Sequence, residues 1–269
     1  MSVGHYENFP VASLLLPARL RRPIGIIYRF ARTADDFADE GDLAPEARLA
    51  RLEEYRVELR RLLQKQAPQT PLFEALGGIV LAHELPLRPF FDLLDAFSQD
   101  VVKSRYADFQ EVMKYCRRSA DPVGRLMLQL FGAAREDNFP LSDAICSGLQ
   151  LANFWQDVAV DFRKDRIYLP QDEMAGFGVT EAQIAVGDPG GGWQPMMKLQ
   201  VERARAMLQF GAPLAKRLPR RMGLELRMIV QGGLRILEKI DRVQGDVFLR
   251  RPTLKAFDWP LMALRALQT

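Results

Sequence analysis

Apolar side chains recur every three or four residues along most of the chain, and no stretch alternates strictly between apolar and polar residues. Residues 49–63 show this spacing among Arg and Glu, which is typical of an amphipathic helix. Further helices are predicted over about 142–162, 196–216 and 223–241. The helix over 223–241 is expected to be the last in the chain. Ser142 is the expected N-cap of the helix over 142–162. Because strands would show a period of two, the pattern predicts an all-α protein.

Segments rich in glycine and proline separate the predicted helices. They lie at 41–45, 67–71, 85–89 and 187–192, and residues of these types mark turns. The chain contains no internal repeat, no low-complexity tract and no segment typical of a linker between independent halves. A chain of 269 residues is long enough to bury one large core. We therefore predict one domain over residues 1–269.

Charge and composition exclude several classes of function. Lys and Arg total 37 and Asp and Glu 34, so the net charge gives no argument for a nucleic-acid partner. The two cysteines form no metal-binding or disulfide pattern, which favours a reducing cytoplasm. No apolar run approaches the roughly 18 residues of a membrane span, and residues 1–10 do not resemble a signal peptide.

Two short segments leave peripheral contact with the inner face of a membrane open. Residues 16–22 and 216–222 each combine several bases with Leu or Met. Such segments attract anionic lipid. The alternative is that both are ordinary solvated loops.

Two segments that we predict to be helical, residues 28–40 and 150–161, carry acidic side chains four residues apart in otherwise apolar surroundings. Asp35 and Asp39 form one pair, next to Asp36, and Asp157 and Asp161 form the other. Residues four apart lie only about 40° apart around a helix axis, so each pair shares one face and would repel. Acidic pairs on a largely buried helix need a cation or a water-filled cavity.

If the two helices faced each other, their carboxylates would meet in one cavity. Hard oxygen ligands of this kind suit Mg²⁺, which is usually completed by water and substrate phosphates. Bases suited to phosphate lie close to both acidic sets in the sequence: Arg29, Arg32, Arg163, Lys164 and Arg166. This combination indicates ionisation of an allylic or similar diphosphate to a carbocation in an apolar pocket. Taken alone, each cluster would be read as a solvated helix end.

At these residues the chain resembles the squalene/phytoene synthase family. Tyr28, Arg32 and the acids that follow are similar to the family motif Y-x-x-x-R-x-x-D-D-x-x-D. Asn153, with the acids one and two turns later, is similar to N-x-x-x-D-x-x-x-D, and Arg166-Ile-Tyr-Leu-Pro is similar to R-x-Y-L-P. The resemblance covers nearly the whole chain. It implies a single-domain isoprenoid (terpenoid) synthase fold with a central cavity between antiparallel helices.

The resemblance also implies roles for individual residues. Two or three Mg²⁺ would be held by Asp35, Asp36, Asp39, Asn153, Asp157 and Asp161. Catalytic roles would fall to Tyr28, Arg32, Arg117 and Gln156. The prenyl diphosphate substrate would contact His5, Asn8, Phe9, Tyr28, Arg32, Ala120, Val123, Gly124, Gln150, Asn153, Arg166 and Tyr168. Of these, Ala120, Val123 and Gly124 would make room for the prenyl chain at a helix kink, although Gly124 alone would indicate close helix packing.

Within the family, segments 5–13, 34–41 and 153–158 resemble a bacterial branch that ionises presqualene diphosphate and lets water capture the rearranged cation as hydroxysqualene. Relative to many condensing members, this chain has Arg117 for Tyr, Gln156 for Arg and Val160 for an acid. No nucleotide-binding glycine loop is present, so NADPH is not expected. The branch implies an upstream presqualene diphosphate synthase and a downstream flavoprotein as partners.

Two other functions stay open at this point. A condensing synthase would join two farnesyl diphosphates into presqualene diphosphate, squalene, dehydrosqualene or a carotenoid precursor. A non-catalytic helical assembly factor would have lost several of the metal carboxylates, whereas both acidic pairs are intact in this chain.

Overall fold

The computed structural model describes residues 16–39 and 41–268, and this part of the chain is almost entirely helical. The α-helices are α1 Ala18–Asp39, α2 Pro45–Leu63, α3 Pro71–His83, α4 Arg88–Val102, α5 Phe109–Ser119, α6 Asp121–Leu130, α7 Phe139–Arg163, α8 Gln171–Gly176, α9 Glu181–Val186, α10 Trp193–Gly211, α11 Arg220–Arg242 and α12 Asp258–Gln268. A 3₁₀ helix covers Ala212–Arg217. The prediction of an all-α protein is confirmed. His5, Asn8 and Phe9 lie outside the described residues.

Local sequence signals explain several helix ends. Thr70, Asp108 and Thr180 cap α3, α5 and α9 by accepting hydrogen bonds from the backbone three residues later, which satisfies amides that the helix leaves unpaired. Proline stands in the first turn of α2, α3 and α4, where no amide donor is needed. Gly187 ends α9 in the left-handed conformation, with φ 68°.

Three predicted boundaries are wrong. Helix α7 begins at Phe139, because Pro140 is tolerated in a first turn, so Ser142 lies inside the helix and is not its N-cap. The helix predicted over 196–216 ends at Gly211 and continues as a 3₁₀ helix containing Pro213. Helix α12 follows the one predicted over 223–241, so that helix is not the last.

Two groups of packed helices carry the acidic segments. In one, the ring of Phe30 on α1 packs edge-on against Phe73 and Phe90, which joins α1 to α3 and α4. In the other, α7 runs through the core against α10, and Gly148 lies close to Leu208 at their contact. Both acidic pairs fall in the last turns of their helices, since α1 ends at Asp39 and α7 ends two residues after Asp161.

None of the helices in residues 16–39 and 41–268 is long and apolar enough to cross a membrane.

Candidate active site

Near the C-terminal end of α1, Arg32 lies on the same side of the helix as the acidic residues. The guanidinium of Arg32 lies 2.8 Å from Asp36 Oδ1 and 3.5 Å from Asp35 Oδ2. Positions three and four apart are neighbours on a helix surface, which accounts for both pairs. Tyr28 lies one turn before Arg32 and is half-buried. Tyr28, Arg32 and the three acids therefore follow one side of α1.

Asp39, the last residue of α1, is tied to the segment that follows α7. Its carboxylate accepts hydrogen bonds from Lys164 Nζ and Arg166 Nη1. Burial acts to raise the pKa of Asp39, but the hydrogen bonds and charges of Lys164 and Arg166 outweigh it and hold the pKa below its usual range. The acidic ends of α1 and α7 are thus joined by two basic side chains.

The polar side of α7 runs from Gln150 through Asn153 to the two acids. Gln150 and Asn153 are half-buried, and Asp157 is buried. The Oδ1 atom of Asp157 lies 2.5 Å from Nε of Arg251, which belongs to the connection between α11 and α12. Arg251 lies 94 residues from Asp157, and no spacing rule relates two such positions, so the sequence alone does not indicate this contact.

Burial and mutual repulsion raise the pKa of two of these carboxyls. The pKa of Asp35 rises to about 6, first through burial and then through the charge of Asp39. The pKa of Asp161 rises to about 7 through burial and the charge of Asp157, with a smaller contribution from Asp39. Because Asp39 on α1 acts on Asp161 on α7, the two helix ends form one electrostatic site. The negative potential at a helix C-terminus adds to this effect.

Asp100, near the end of α4, is a further carboxyl of this site, and no motif indicated it. Its Oδ2 accepts a hydrogen bond of 2.7 Å from the Tyr115 hydroxyl, whereas its Oδ1 is buried with no hydrogen-bond partner in the described part of the chain. Burial raises the pKa of Asp100 to about 7 against the lowering effects of Tyr115 and Arg166, and Asp35 and Asp39 are close enough to raise it further. A buried acceptor without a partner is costly, so Oδ1 is a candidate contact for a bound molecule.

Stacked aromatic rings lie beside these carboxylates. A parallel bridge between Arg105 and Ile167 aligns the segments after α4 and α7. Tyr168 stacks on Phe154 with ring centroids 3.7 Å apart and on Tyr106 at 5.5 Å. Burial raises the pKa of Tyr168 well above its usual value, and the charge of Asp100 adds to this. We call Tyr106, Phe154 and Tyr168 the aromatic wall.

Two residues expected to act in catalysis make contacts of other kinds. Gln156 is buried and donates a hydrogen bond to the carbonyl of Pro252, which fastens the connection before α12 to α7. Arg117 is exposed on α5, and burial raises the pKa of the nearby Asp121 while the charge of Arg117 offsets only a small part of that rise. Catalytic roles for Gln156 and Arg117 stay predictions.

The three residues expected at a kink lie where α5 gives way to α6. Ala120 is the single residue between the two helices. A Cβ atom on Gly124 would lie 2.4 Å from Ser142 Oγ and 2.6 Å from Cys146 Sγ, so this glycine permits close packing of α6 on α7. Val123 is partly exposed. Contact of these residues with a prenyl chain stays a prediction.

The site offers the donors that Mg²⁺ prefers, but its carboxylates are paired with bases. No three His, Cys, Asp or Glu side chains within residues 16–39 and 41–268 converge closely enough to hold one ion. Two of the carboxylates are held instead by Lys164, Arg166 and Arg251. Burial first, and the charge of a neighbouring carboxylate second, raise the pKa of Asp35 and of Asp161, and carboxylate oxygens suit Mg²⁺. The donor set therefore fits a divalent cation, provided that the bases release the carboxylates.

An all-helical structure in which Lys164 and Arg166 join the acidic ends of α1 and α7 is typical of the isoprenoid synthase fold, and comparison with known proteins agrees. The model of the family named squalene/phytoene synthase matches residues 3–258. The chain belongs to the squalene/phytoene synthase family.

Relatives similar to this chain include both hydroxysqualene synthases and phytoene synthases. The chain is 34% identical over 265 residues to a hydroxysqualene synthase of Rhodopseudomonas palustris, covering 98% of this chain and 88% of that protein. It is 31% identical over 287 residues to a phytoene synthase of Arthrospira platensis, covering 99% of this chain and 91% of that protein. The crystal structure of squalene synthase HpnC from Alicyclobacillus acidocaldarius superposes with a TM-score of 0.82 at 38% identity, over 89% of this chain and 90% of that chain. The expected isoprenoid synthase fold is thereby confirmed.

Proposed function

We propose that this chain is a hydroxysqualene synthase, which ionises presqualene diphosphate and adds water to the rearranged cation. The observation that carries the proposal is the junction of the two acidic helix ends through Lys164 and Arg166. Such a junction supplies both carboxylates and bases where a diphosphate would leave. The similarity to the Rhodopseudomonas palustris protein supports the choice of substrate.

The first step breaks the bond between the cyclopropylcarbinyl carbon of presqualene diphosphate and the diphosphate oxygen, and the electron pair leaves with the diphosphate. Lys164, Arg166 and Arg251 are placed to bind diphosphate oxygens once they release their carboxylates, and arginine binds such oxygens in a bidentate manner. The Mg²⁺ ligands would be Asp35, Asp36, Asp39, Asn153, Asp157 and Asp161, and the two or three bound ions would neutralise charge on the leaving group.

The carbocation that remains needs stabilisation without an early encounter with water. The aromatic wall gives the site a largely buried apolar border, which limits the access of water. The cyclopropylcarbinyl cation rearranges with cleavage of a ring carbon–carbon bond, and water then forms a bond to the new cationic carbon. The proton that the added water loses passes to the released diphosphate or to a site carboxylate. No electron is gained or lost, so the reaction requires no NADPH.

Presqualene diphosphate must be supplied by another enzyme, and hydroxysqualene must be reduced by another. We propose a presqualene diphosphate synthase before this protein and a flavoprotein after it. Cys116 and Cys146 are both free thiols, which supports a place in the reducing cytoplasm. A small prenyl diphosphate is the proposed ligand, and nucleic acid is not among the proposed partners.

The direct test supplies presqualene diphosphate and farnesyl diphosphate in separate incubations, each with Mg²⁺ and without nicotinamide, and identifies the products by mass. The proposal predicts hydroxysqualene and diphosphate from presqualene diphosphate alone. Omission of Mg²⁺ should stop the reaction. Complete inertness of presqualene diphosphate would overturn the proposal.

A second candidate is head-to-head condensation of two farnesyl diphosphates to presqualene diphosphate, squalene or dehydrosqualene. The specific observation in its favour is the 31% identity to the Arthrospira platensis phytoene synthase over almost the whole chain. A thirty-carbon diphosphate or hydrocarbon formed from farnesyl diphosphate in the same experiment would identify this activity.

A further inference from the structure

Helix α12 carries apolar residues both on its buried side and on an adjacent exposed side. Met262 and Ala266 are buried against the rest of the molecule. The α12 face, which we define as Phe257, Trp259, Leu264 and Leu267, is instead exposed, with Phe257 at 65% and Leu267 at 71%. The three members on the helix fall within an arc of about 140°. Contiguous exposed apolar surface is typical of interaction sites.

Exposed bases stand in the connection that leads to the α12 face. Arg250 and Lys255 are exposed in the connection that precedes α12. The single acid in residues 249–268 is Asp258, which is fully buried and paired with Arg235 and Lys239. The one base on α12, Arg265, pairs with the partly exposed Glu238 of α11, so the positive charge beside the α12 face comes from the connection before the helix.

Bases also border the other end of α12, because α11 and α12 run antiparallel. Arg235 contacts Asp258 at the start of α12, whereas Arg227 donates a hydrogen bond of 3.0 Å to the carbonyl of Ala266 near its end. The start of α11 therefore lies close to the end of α12. The exposed Arg220 and Arg221 stand about 10 Å beyond Arg227 along the helix axis.

The structure changes the expectation for the two segments that combined bases with apolar residues. Leu16 and Leu20 of segment 16–22 are buried, and so are Leu218 and Met222 of segment 216–222. These segments therefore present charge without an apolar surface. The apolar surface beside the second segment is supplied by α12.

We propose that the α12 face docks on the surface of an anionic lipid bilayer, with α12 lying in the interfacial plane. Trp, Phe and Leu on one side of a helix insert at the boundary between headgroups and acyl chains, and the bases at both ends attract anionic headgroups. A second copy of the chain is a less suitable partner for the α12 face, because a symmetric contact would bring the bases of the two copies together. This docking does not depend on the proposed reaction.

Tryptophan fluorescence tests the docking directly. The chain has three tryptophans, of which Trp155 and Trp193 are fully buried and Trp259 is 39% exposed. On mixing the full chain at low salt with vesicles of phosphatidylcholine and one third phosphatidylglycerol, we expect a blue shift of emission and protection from iodide quenching. Pure phosphatidylcholine vesicles should give a much smaller change. The shift should weaken near 1 M salt, where the screening length falls to about 3 Å.

Vesicle co-sedimentation of variants tests the surface itself. The double variant Leu264→Gln/Leu267→Gln should lose at least ten-fold in partitioning to the anionic vesicles. Leu81→Gln is the matched control, since Leu81 is 84% exposed on α3, and it should partition as the parent does. Thermal melting establishes that both variants are folded.

Three results would overturn the proposal. The first is failure of the parent chain to bind anionic vesicles at low salt. The second is equal partitioning of the double variant and the parent. The third is light scattering that shows a dimer of the parent chain which the double variant abolishes, because the α12 face would then belong to a second copy.

Discussion

Arg166 donates a hydrogen bond to Asp39 across 127 positions of the sequence, and this contact joins the end of α1 to the segment after α7. The same guanidinium donates to the backbone carbonyl of Asp100 at 3.2 Å. One side chain therefore connects the C-terminal ends of α1, α4 and α7. The proposed chemistry depends on this convergence, because a diphosphate can leave only where positive charge and metal ligands meet.

Arg166→Gln should lower kcat/KM by about 10²–10³-fold, the usual effect of removing one electrostatic contact to developing charge. Arg205→Gln is the matched control, because Arg205 pairs with Asp241 between α10 and α11 and takes no part in the proposed site. Steady-state kinetics with presqualene diphosphate would measure both. Equal losses in the two variants would contradict a specific role for Arg166.

Asp35→Asn and Asp157→Asn should each abolish Mg²⁺-dependent turnover while circular dichroism still reports an intact helical fold. The physical reason is loss of an anionic oxygen donor from each half of the site. Asp42→Asn, at an exposed acid between α1 and α2, should keep the parent activity. Magnesium-dependent turnover at the parent rate in Asp35→Asn would show that Asp35 is not a ligand.

Stability should depend on pH through Asp121, which is buried at the start of α6 and accepts a hydrogen bond of 2.7 Å from Ser147. Burial raises the pKa of Asp121 from 3.8 to about 7. The folded state therefore holds its proton more tightly than the unfolded state, and this contribution to stability is full below about pH 4 and is lost as pH rises to about 7. The limiting slope is about 1.4 kcal/mol per pH unit.

The variant Asp121→Asn has no carboxyl at this position to titrate, so it should not show this decrease in the free energy of unfolding. Its amide oxygen can still accept the hydrogen bond from Ser147. Its free energy of unfolding relative to the parent should therefore increase between about pH 4 and pH 7 and then level off. Urea unfolding at several pH values measures this difference. Parallel profiles for variant and parent would show that Asp121 does not titrate in this range.

The need for a glycine at position 124, where α6 packs on α7, can be tested by adding one methyl group. Gly124→Ala should destabilise the fold by about 1–3 kcal/mol, because its Cβ would lie 2.4 Å from Ser142 Oγ. Gly78→Ala, at an exposed position in α3 with nothing within 4 Å of a new Cβ, should stabilise by about 0.4–1 kcal/mol. If thermal melts showed that both substitutions change the stability in the same direction, this explanation of the packing would be contradicted.

Regular local spacing made the acidic helices predictable. Asp35, Asp39, Asp157 and Asp161 could be assigned to helix faces because residues four apart share a side, and the two motifs placed them in a known family. The partners of these acids could not be predicted. Arg251 reaches Asp157 through the connection between α11 and α12, and this contact exists only after the helices pack.

The start of α7, the presence of α12 and the position of Asp100 were not predicted, for local physical reasons. Ser142 fits an N-cap by type, yet Pro140 fits the first turn of a longer helix. Residues 258–268 carry apolar side chains on two sides, so they lack the single apolar stripe by which a surface helix is recognised. Asp100 belongs to no spacing pattern, and only the fold brings it to the site.

Capture of the cation by water is the central claim, and oxygen labelling tests it most directly. Presqualene diphosphate would be incubated with the chain and Mg²⁺ in H₂¹⁸O, and the product analysed by mass spectrometry. We predict hydroxysqualene that carries one ¹⁸O atom in its hydroxyl group. An unlabelled alcohol, or a hydrocarbon without oxygen, would contradict the claim.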